Sequence, residues 1–201
     1  TGDWAVACGS PELFLEMADG MVTTRPMKGT AQRGRWAEED EQAAARLARS
    51  EKERAENVMV VDLLRNDLGR VAEAGGVDVP RLWEIERYPT LWQLTSTVQA
   101  RVGPGVDLPE VFAAMFPSGS VTGAPKIAAM AALADLEVSR RGVYCGAVGL
   151  IRPAGSGRGT VARFAVAIRT AVVDKLQGIV EYGSGGGITW DSDPEAEWRE
   201  L

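Results

Sequence analysis

A chain of 201 residues, 45% hydrophobic and 25% charged, has the composition of a soluble globular protein with enough length for a substantial core. Its 22 Lys and Arg against 28 Asp and Glu give a net charge of -6, so no overall basic field would recruit nucleic acid or an anionic membrane. It contains no histidine, which excludes the commonest general base and every imidazole triad and leaves carboxylates, lysine or a metal for any catalysis.

Cys8 and Cys145 are far apart and outside any paired spacing, which argues against a disulfide framework or a zinc site and fits a reducing cytoplasm. No apolar run reaches the ~20 residues needed to span a bilayer. Thr1 opens with neither an initiator methionine nor a signal-peptide pattern, so the chain reads as a piece of something longer.

Trp4 to Cys8, Leu13 to Met17 and Met21 to Thr24 are short apolar and β-branched runs broken by Gly9-Ser10-Pro11 and Asp19-Gly20, the pattern of successive hairpin strands. Lys28, in Pro26-Met27-Lys28-Gly29-Thr30, then falls just past a strand end. It is either an ordinary lysine in a turn or an amine aimed by a stiff proline and a permissive glycine. From Glu38 to about Leu68 the Ala-, Glu-, Arg- and Leu-rich sequence predicts one long helix with an acidic start. Arg81 to Tyr88 and Leu91 to Val102 read as strands, and Asp107 caps a helix running to Phe116.

Pro117 to Gly123 is a Ser, Thr and Gly loop, followed by an alanine-rich helix from Ala124 to Leu136 with Pro125 in its first turn. The loop and helix start suit either an anion or tight packing; the order of a Walker A loop is absent. Val143 to Ile151, Arg163 to Val173 and Leu176 to Tyr182 read as strands. After Gly183-Ser184-Gly185-Gly186-Gly187, Asp193 and Pro194 begin a terminal helix. No repeat or linker divides this order, which indicates one mixed α+β body.

Glu53 and Glu56 stand three apart on the long helix, and Glu197 and Glu200 repeat that spacing on the terminal one. Each pair occupies one helix face, as a solvated acidic surface or, if the faces meet, as an all-oxygen set suited to Mg²⁺. Arg169, on a largely apolar predicted strand, fits either a bidentate carboxylate contact or a structural ion pair. Glu12, beside apolar neighbours at a strand start, is by default an outward-facing residue. Glu38-Glu39-Asp40-Glu41 is a solvated helix start to which no function is assigned.

In order, the segments PMKGT, ENVMVVDLLRNDLGRV, SGSVTGAPKIAAM, RRGVYCGAVGLI, FAVAIRTAV and GSGGGITWDSDPEAE resemble the chorismate-utilising enzymes. That family includes component I of anthranilate synthase and of aminodeoxychorismate synthase, isochorismate synthase and salicylate synthase. The resemblance implies an α+β, multi-layer sandwich of antiparallel-rich sheets and helices. It also implies that residues 1–201 are the C-terminal portion of the catalytic domain, truncated at both ends.

Lysine before Gly-Thr is the residue of the aminodeoxychorismate synthases, where anthranilate synthases usually carry alanine. By the resemblance, Lys28 adds to C2 of chorismate as the C4 hydroxyl leaves, and ammonia from a glutamine amidotransferase then enters at C4 and expels the lysine. Glu12 matches the general acid and base, and Glu53, Glu56, Glu197 and Glu200 match the Mg²⁺ ligands. Arg169, Gly186 and Gly187 match contacts to the enolpyruvyl carboxylate, and Thr30 a nearby polar contact. Two positions depart from the pattern: Gln93 stands where anthranilate synthases have histidine, and Leu150 where tyrosine is frequent. Anthranilate synthase component I and a non-catalytic chorismate-binding domain are the alternative readings.

A free lysine, with a reference pKa near 10.4, is neutral only about once in 2,500 molecules at pH 7, so a nucleophilic Lys28 needs desolvation or a nearby cation. An ionised Glu12 would act against that. The expectation is therefore a Glu12 that is protonated or hydrogen-bonded.

Overall fold

Strand β6 (Leu91–Val102) organises the molecule, in a computed structural model that describes residues 2–154, 160–190 and 192–200, the side chains of Ala196 and Glu200 excepted. Six successive residues, Gln93 to Val98, are buried, so this strand is covered on both faces even around its polar centre. Its neighbours on one side are β3 (Met21–Arg25) and β4 (Met27–Gln32), which meet Arg101 to Val98 and Thr95 to Leu91 in turn. Along the other side runs β5 (Ala72–Arg87). A strand has only two edges, so β3 and β4 lie end to end with Pro26 between them.

Beyond β3 the sheet continues through β2 (Leu13–Ala18), β8 (Thr160–Val166) and β7 (Ala147–Pro153), giving seven strands whose neighbours are all antiparallel. A smaller sheet has the order β1 (Trp4–Cys8), β9 (Thr170–Asp174), β10 (Ile179–Tyr182). Packed on the larger sheet are α1 (Ala37–Arg49) and α2 (Glu51–Gly69), with α3 (Leu108–Met115) against α2. The expected α+β architecture of antiparallel sheets and helices is what the chain adopts.

The core lies where α2 and α3 face the sheet. Val60, Leu64 and Leu68 of α2 meet Phe14, Leu15, Val22, Val98 and Val166, and each fully buried aliphatic or aromatic side chain contributes about 1.5–3 kcal/mol. Phe112 stacks edge-on against Phe14 and Phe164, with ring centroids 5.5 and 4.8 Å away. Asp107 and Glu110 form a reciprocal capping box at the start of α3, both bonds 3.0 Å long.

Three expected elements are corrected. The single helix from Glu38 to Leu68 is two, because Ser50 leaves the helical conformation and its hydroxyl accepts from the Glu53 N–H at 3.3 Å. The strand expected from Arg163 to Val173 breaks after Val166: Ile168 N–H donates back to the Val166 carbonyl at 2.8 Å, and the chain crosses from the larger sheet to the smaller. Val143 to Gly146 form turns ahead of β7. Helix α4 (Lys126–Leu136), apolar around its circumference, buries none of its residues. Helix α5 (Pro194–Glu200) is the terminal one. No helix among the described residues is long and apolar enough to cross a membrane.

Candidate functional site

Pro26 lacks an N–H to extend the ladder, and its carbonyl accepts from the Ser96 N–H at 3.2 Å. The β4 register is interrupted between Met27 and Thr30, so Lys28 lies at an irregular point within β4 rather than past a strand end. Gly29 has φ 85, and a β-carbon there would stand 2.8 Å from Glu53 Oε2. Only glycine offers both the left-handed backbone and the missing atom. Gln93, opposite Thr30, accepts from Thr30 Oγ1 at 3.0 Å and donates through Nε2 to the Gly29 carbonyl at 2.8 Å.

Glu12 is buried, which corrects the outward-facing expectation. The register of β2 is irregular just after Leu13, so Phe14 and Leu15 are both buried and simple alternation fails there. Glu12's own backbone is pinned, its carbonyl accepting from Val166 at 3.1 Å and its N–H donating to Ser10 Oγ at 3.2 Å. Burial pushes its carboxyl up from 4.5 to about 7, against the weaker opposing effects of a hydrogen bond with the Ser120 side chain and the charges of Lys28 and Arg169. Near neutrality the raised value leaves a protonated form of this acid populated.

Arg169 lies in the break between β8 and β9, not on a strand as expected, with φ 47. Its carbonyl accepts from Gly9 N–H at 3.0 Å, which fixes this left-handed residue at the crossover between sheets. Residues 184–187 line the same cavity as Arg169, and the glycines at 183 and 185–187 leave room for other side chains. β-Carbons on Gly183 and Gly185 would stand 2.4 Å from Tyr144 Cγ and 2.9 Å from Tyr144 Oη. One on Gly186 would be 3.0 Å from Glu197 Oε2, and one on Gly187 3.0 Å from Lys28 Nζ.

Lys28, Glu12, Thr30, Arg169, Gly186 and Gly187 line one cavity of about 460 Å³. Chain segments distant in sequence thus converge on a volume suited to a small molecule. Glu53 and Glu197 adjoin it through Gly29 and Gly186. Glu56, half-buried one turn along α2, has Lys52 Nζ at 4.0 Å, and the side chain of Glu200 lies outside the described residues. Among the described residues no group of three or more His, Cys, Asp or Glu is close enough to hold an ion. The donor type nonetheless fits a hard divalent cation, because carboxylates from two helices reach adjoining walls of the same cavity.

The Pro117 to Gly123 loop is braced rather than open. Lys126 Nζ ion-pairs with Asp67 and donates to the carbonyls of Met115 and Pro117, each at 2.8 Å. Arg141 donates to the Val121 carbonyl and to Glu137, both at 2.6 Å. The loop thereby presents Ser120 to Glu12. Leu150 is 55% exposed on β7 and does not line the cavity, whereas Tyr144 does. Sequence reading missed Ser120, Tyr144 and Arg141, which only the crossing of distant segments brings to the site.

A family model described as chorismate binding enzyme matches residues 1–201. The chain belongs to the chorismate-binding enzyme family. Aminodeoxychorismate synthase component 1 of Salmonella typhimurium is 42% identical over 199 residues, 99% of this chain and 42% of that protein. Anthranilate synthase component 1 of Aquifex aeolicus is 44% identical over 192 residues, 96% of this chain and 37% of its own length. The crystal structure of anthranilate synthase component I from Streptococcus pneumoniae superposes with a TM-score of 0.82 at 37% identity, covering 99% of this chain and 42% of that one. The chain thus spans about two fifths of the length of these relatives.

Proposed function

We propose that this chain carries the chorismate site of an aminodeoxychorismate synthase component I, which converts chorismate and ammonia to 4-amino-4-deoxychorismate. The observation that carries this reading is the approach of Lys28 Nζ to Gly187, in the same cavity as a buried Glu12 poised to give or take a proton. The neutral amine of Lys28 adds to C2, the ring's two conjugated double bonds move to C1=C6 and C4=C5, and the C4 hydroxyl departs. Glu12 supplies the proton that lets it leave as water. Ammonia then attacks C4, both double bonds return to C1=C2 and C5=C6, and the Lys28 amine is expelled from C2. The ammonia comes from a glutamine amidotransferase partner.

Arg169 and the backbone at Gly186 and Gly187 orient the enolpyruvyl carboxylate, and Thr30, fixed by Gln93, lies nearby. Glu53, Glu56, Glu197 and Glu200 would hold Mg²⁺, which when bound offsets substrate charge and polarises the ring carboxylate as a Lewis acid. A protonated Glu12 is the form able to assist departure of the hydroxyl, and it places no negative charge beside Lys28.

Anthranilate synthase is the second reading, because relatives of that name match at comparable identity. Gln93 speaks against it. Its amide has no proton to exchange near neutral pH, and both its ends are engaged by Thr30 and Gly29. The test is Lys28→Ala in the full-length protein supplied with chorismate, ammonia and Mg²⁺. Loss of aminodeoxychorismate formation with retained chorismate binding is expected, and full activity would remove Lys28 from the mechanism.

A further inference from the structure

Trp83 adopts φ 58 in the middle of β5. For a bulky residue this left-handed backbone is strained and persists only where its surroundings hold it. It sits where the β5–β6 register is interrupted between Arg81 and Glu84, and its N–H donates to Ser96 Oγ at 3.0 Å. The Ser96 hydroxyl donates in turn to Asn57 Oδ1 at 2.6 Å, and the Ser96 N–H to the Pro26 carbonyl at 3.2 Å. Ser96 and Asn57 are completely buried. The indole of Trp83 meanwhile carries Arg54, whose guanidinium carbon is 3.7 Å from the ring centroid.

These partners have a common address. Arg54 follows Glu53 and Asn57 follows Glu56 on α2, while Pro26 is two residues before Lys28. We propose that Ser96 is a positioning residue that locks the turn of α2 bearing Glu53 and Glu56 to the strand break bearing Lys28, with Trp83 and Arg54 as a second tie. The proposal rests on the reading of Lys28 and the glutamates given above.

Stability alone does not account for this arrangement. Besides the strained Trp83 backbone, Asn57 Nδ2 and Trp83 Nε1 are buried without a protein acceptor, and a buried polar group left unpaired is destabilising. An apolar packing of the same volume would leave no polar group unpaired. What the polar bracket adds is direction: Ser96 uses its one donor for Asn57 and a lone pair for Trp83, and so fixes α2 against β5 and β6 in rotation as well as distance.

The experiment is a Mg²⁺ titration of the melting temperature of the full-length protein, run beside kcat and KM for chorismate. Ser96→Ala should raise the Mg²⁺ concentration for half-maximal thermal stabilisation by about tenfold, the usual effect of removing a group that orients metal ligands, and lower kcat. Ser96→Thr, which keeps the hydroxyl, should recover most of both. Arg54→Lys keeps the charge, loses the planar stack and leaves the buried hydrogen bonds intact; it should move the midpoint in the same direction.

A lower melting temperature in Ser96→Ala with the parent's Mg²⁺ midpoint and kcat would make the bracket merely structural and overturn the proposal. If Ser96→Ala does not fold, an unchanged midpoint in Arg54→Lys overturns it equally. A parent protein whose melting ignores Mg²⁺ would remove the metal reading and the bracket together. A responsive parent matched by the variants would remove only the bracket.

Discussion

The Nζ of Lys28 comes within 3.0 Å of the place a β-carbon on Gly187 would occupy. The glycine segment and the lysine are therefore fitted to each other, and a single added methyl tests the fit. Lys28 is a flexible side chain that can swing aside, so Gly187→Ala should melt within about 1 kcal/mol of the parent. Its turnover should nonetheless fall by about 10²-fold, as reactive groups displaced by an ångström do. Thermal melts and steady-state rates on the same preparation check both halves.

Glu12 should leave a mark on stability against pH. Its folded value of about 7 exceeds its ordinary 4.5, so the folded state binds the extra proton between those limits. The resulting stabilisation is fully present below about pH 4.5 and is lost as pH rises through 7; it amounts to about 3 kcal/mol. Glu12→Gln should flatten the denaturation free energy across that window and abolish turnover, having no proton to give. A variant with the parent's pH dependence would contradict the burial argument.

Lys126 should matter through folding. Lys126→Met leaves Asp67 buried without its cation, a loss of about 3–5 kcal/mol in urea unfolding. Adding Asp67→Asn should return part of it. Activity should suffer in Lys126→Met even where the protein is folded, because the braced loop presents Ser120 to Glu12.

In the proposed Mg²⁺ site, Glu197→Gln would remove a charged oxygen donor while keeping the side chain's shape. The Mg²⁺ needed for half-maximal activity should rise by at least about tenfold. An unchanged magnesium titration would count against the four-glutamate site.

Several strands were legible from turn residues and β-branched runs, and Trp4 to Cys8 and Leu91 to Val102 form strands over those same residues, whereas Met27–Gln32 was not read as a strand. Periodicity could not show the interruptions. Ser50 splits a continuous helical pattern, and the Ala167–Arg169 crossover divides what reads as one strand, because both are decided by hydrogen bonds to particular partners. The motif residues Lys28, Glu12, Thr30, Arg169, Gly186 and Gly187 could be named from their segments, and they share one cavity. The inward turn of Glu12 depends on a local register irregularity, and its supporting contact comes from Ser120, over a hundred residues away in the chain.

Mass spectrometry of the products formed by the full-length protein from chorismate, ammonia and Mg²⁺ tests the central claim most directly. The account predicts 4-amino-4-deoxychorismate, with the enolpyruvyl group retained and its formation abolished in Lys28→Ala. Anthranilate with released pyruvate, or aminodeoxychorismate formed equally well without Lys28, would contradict it.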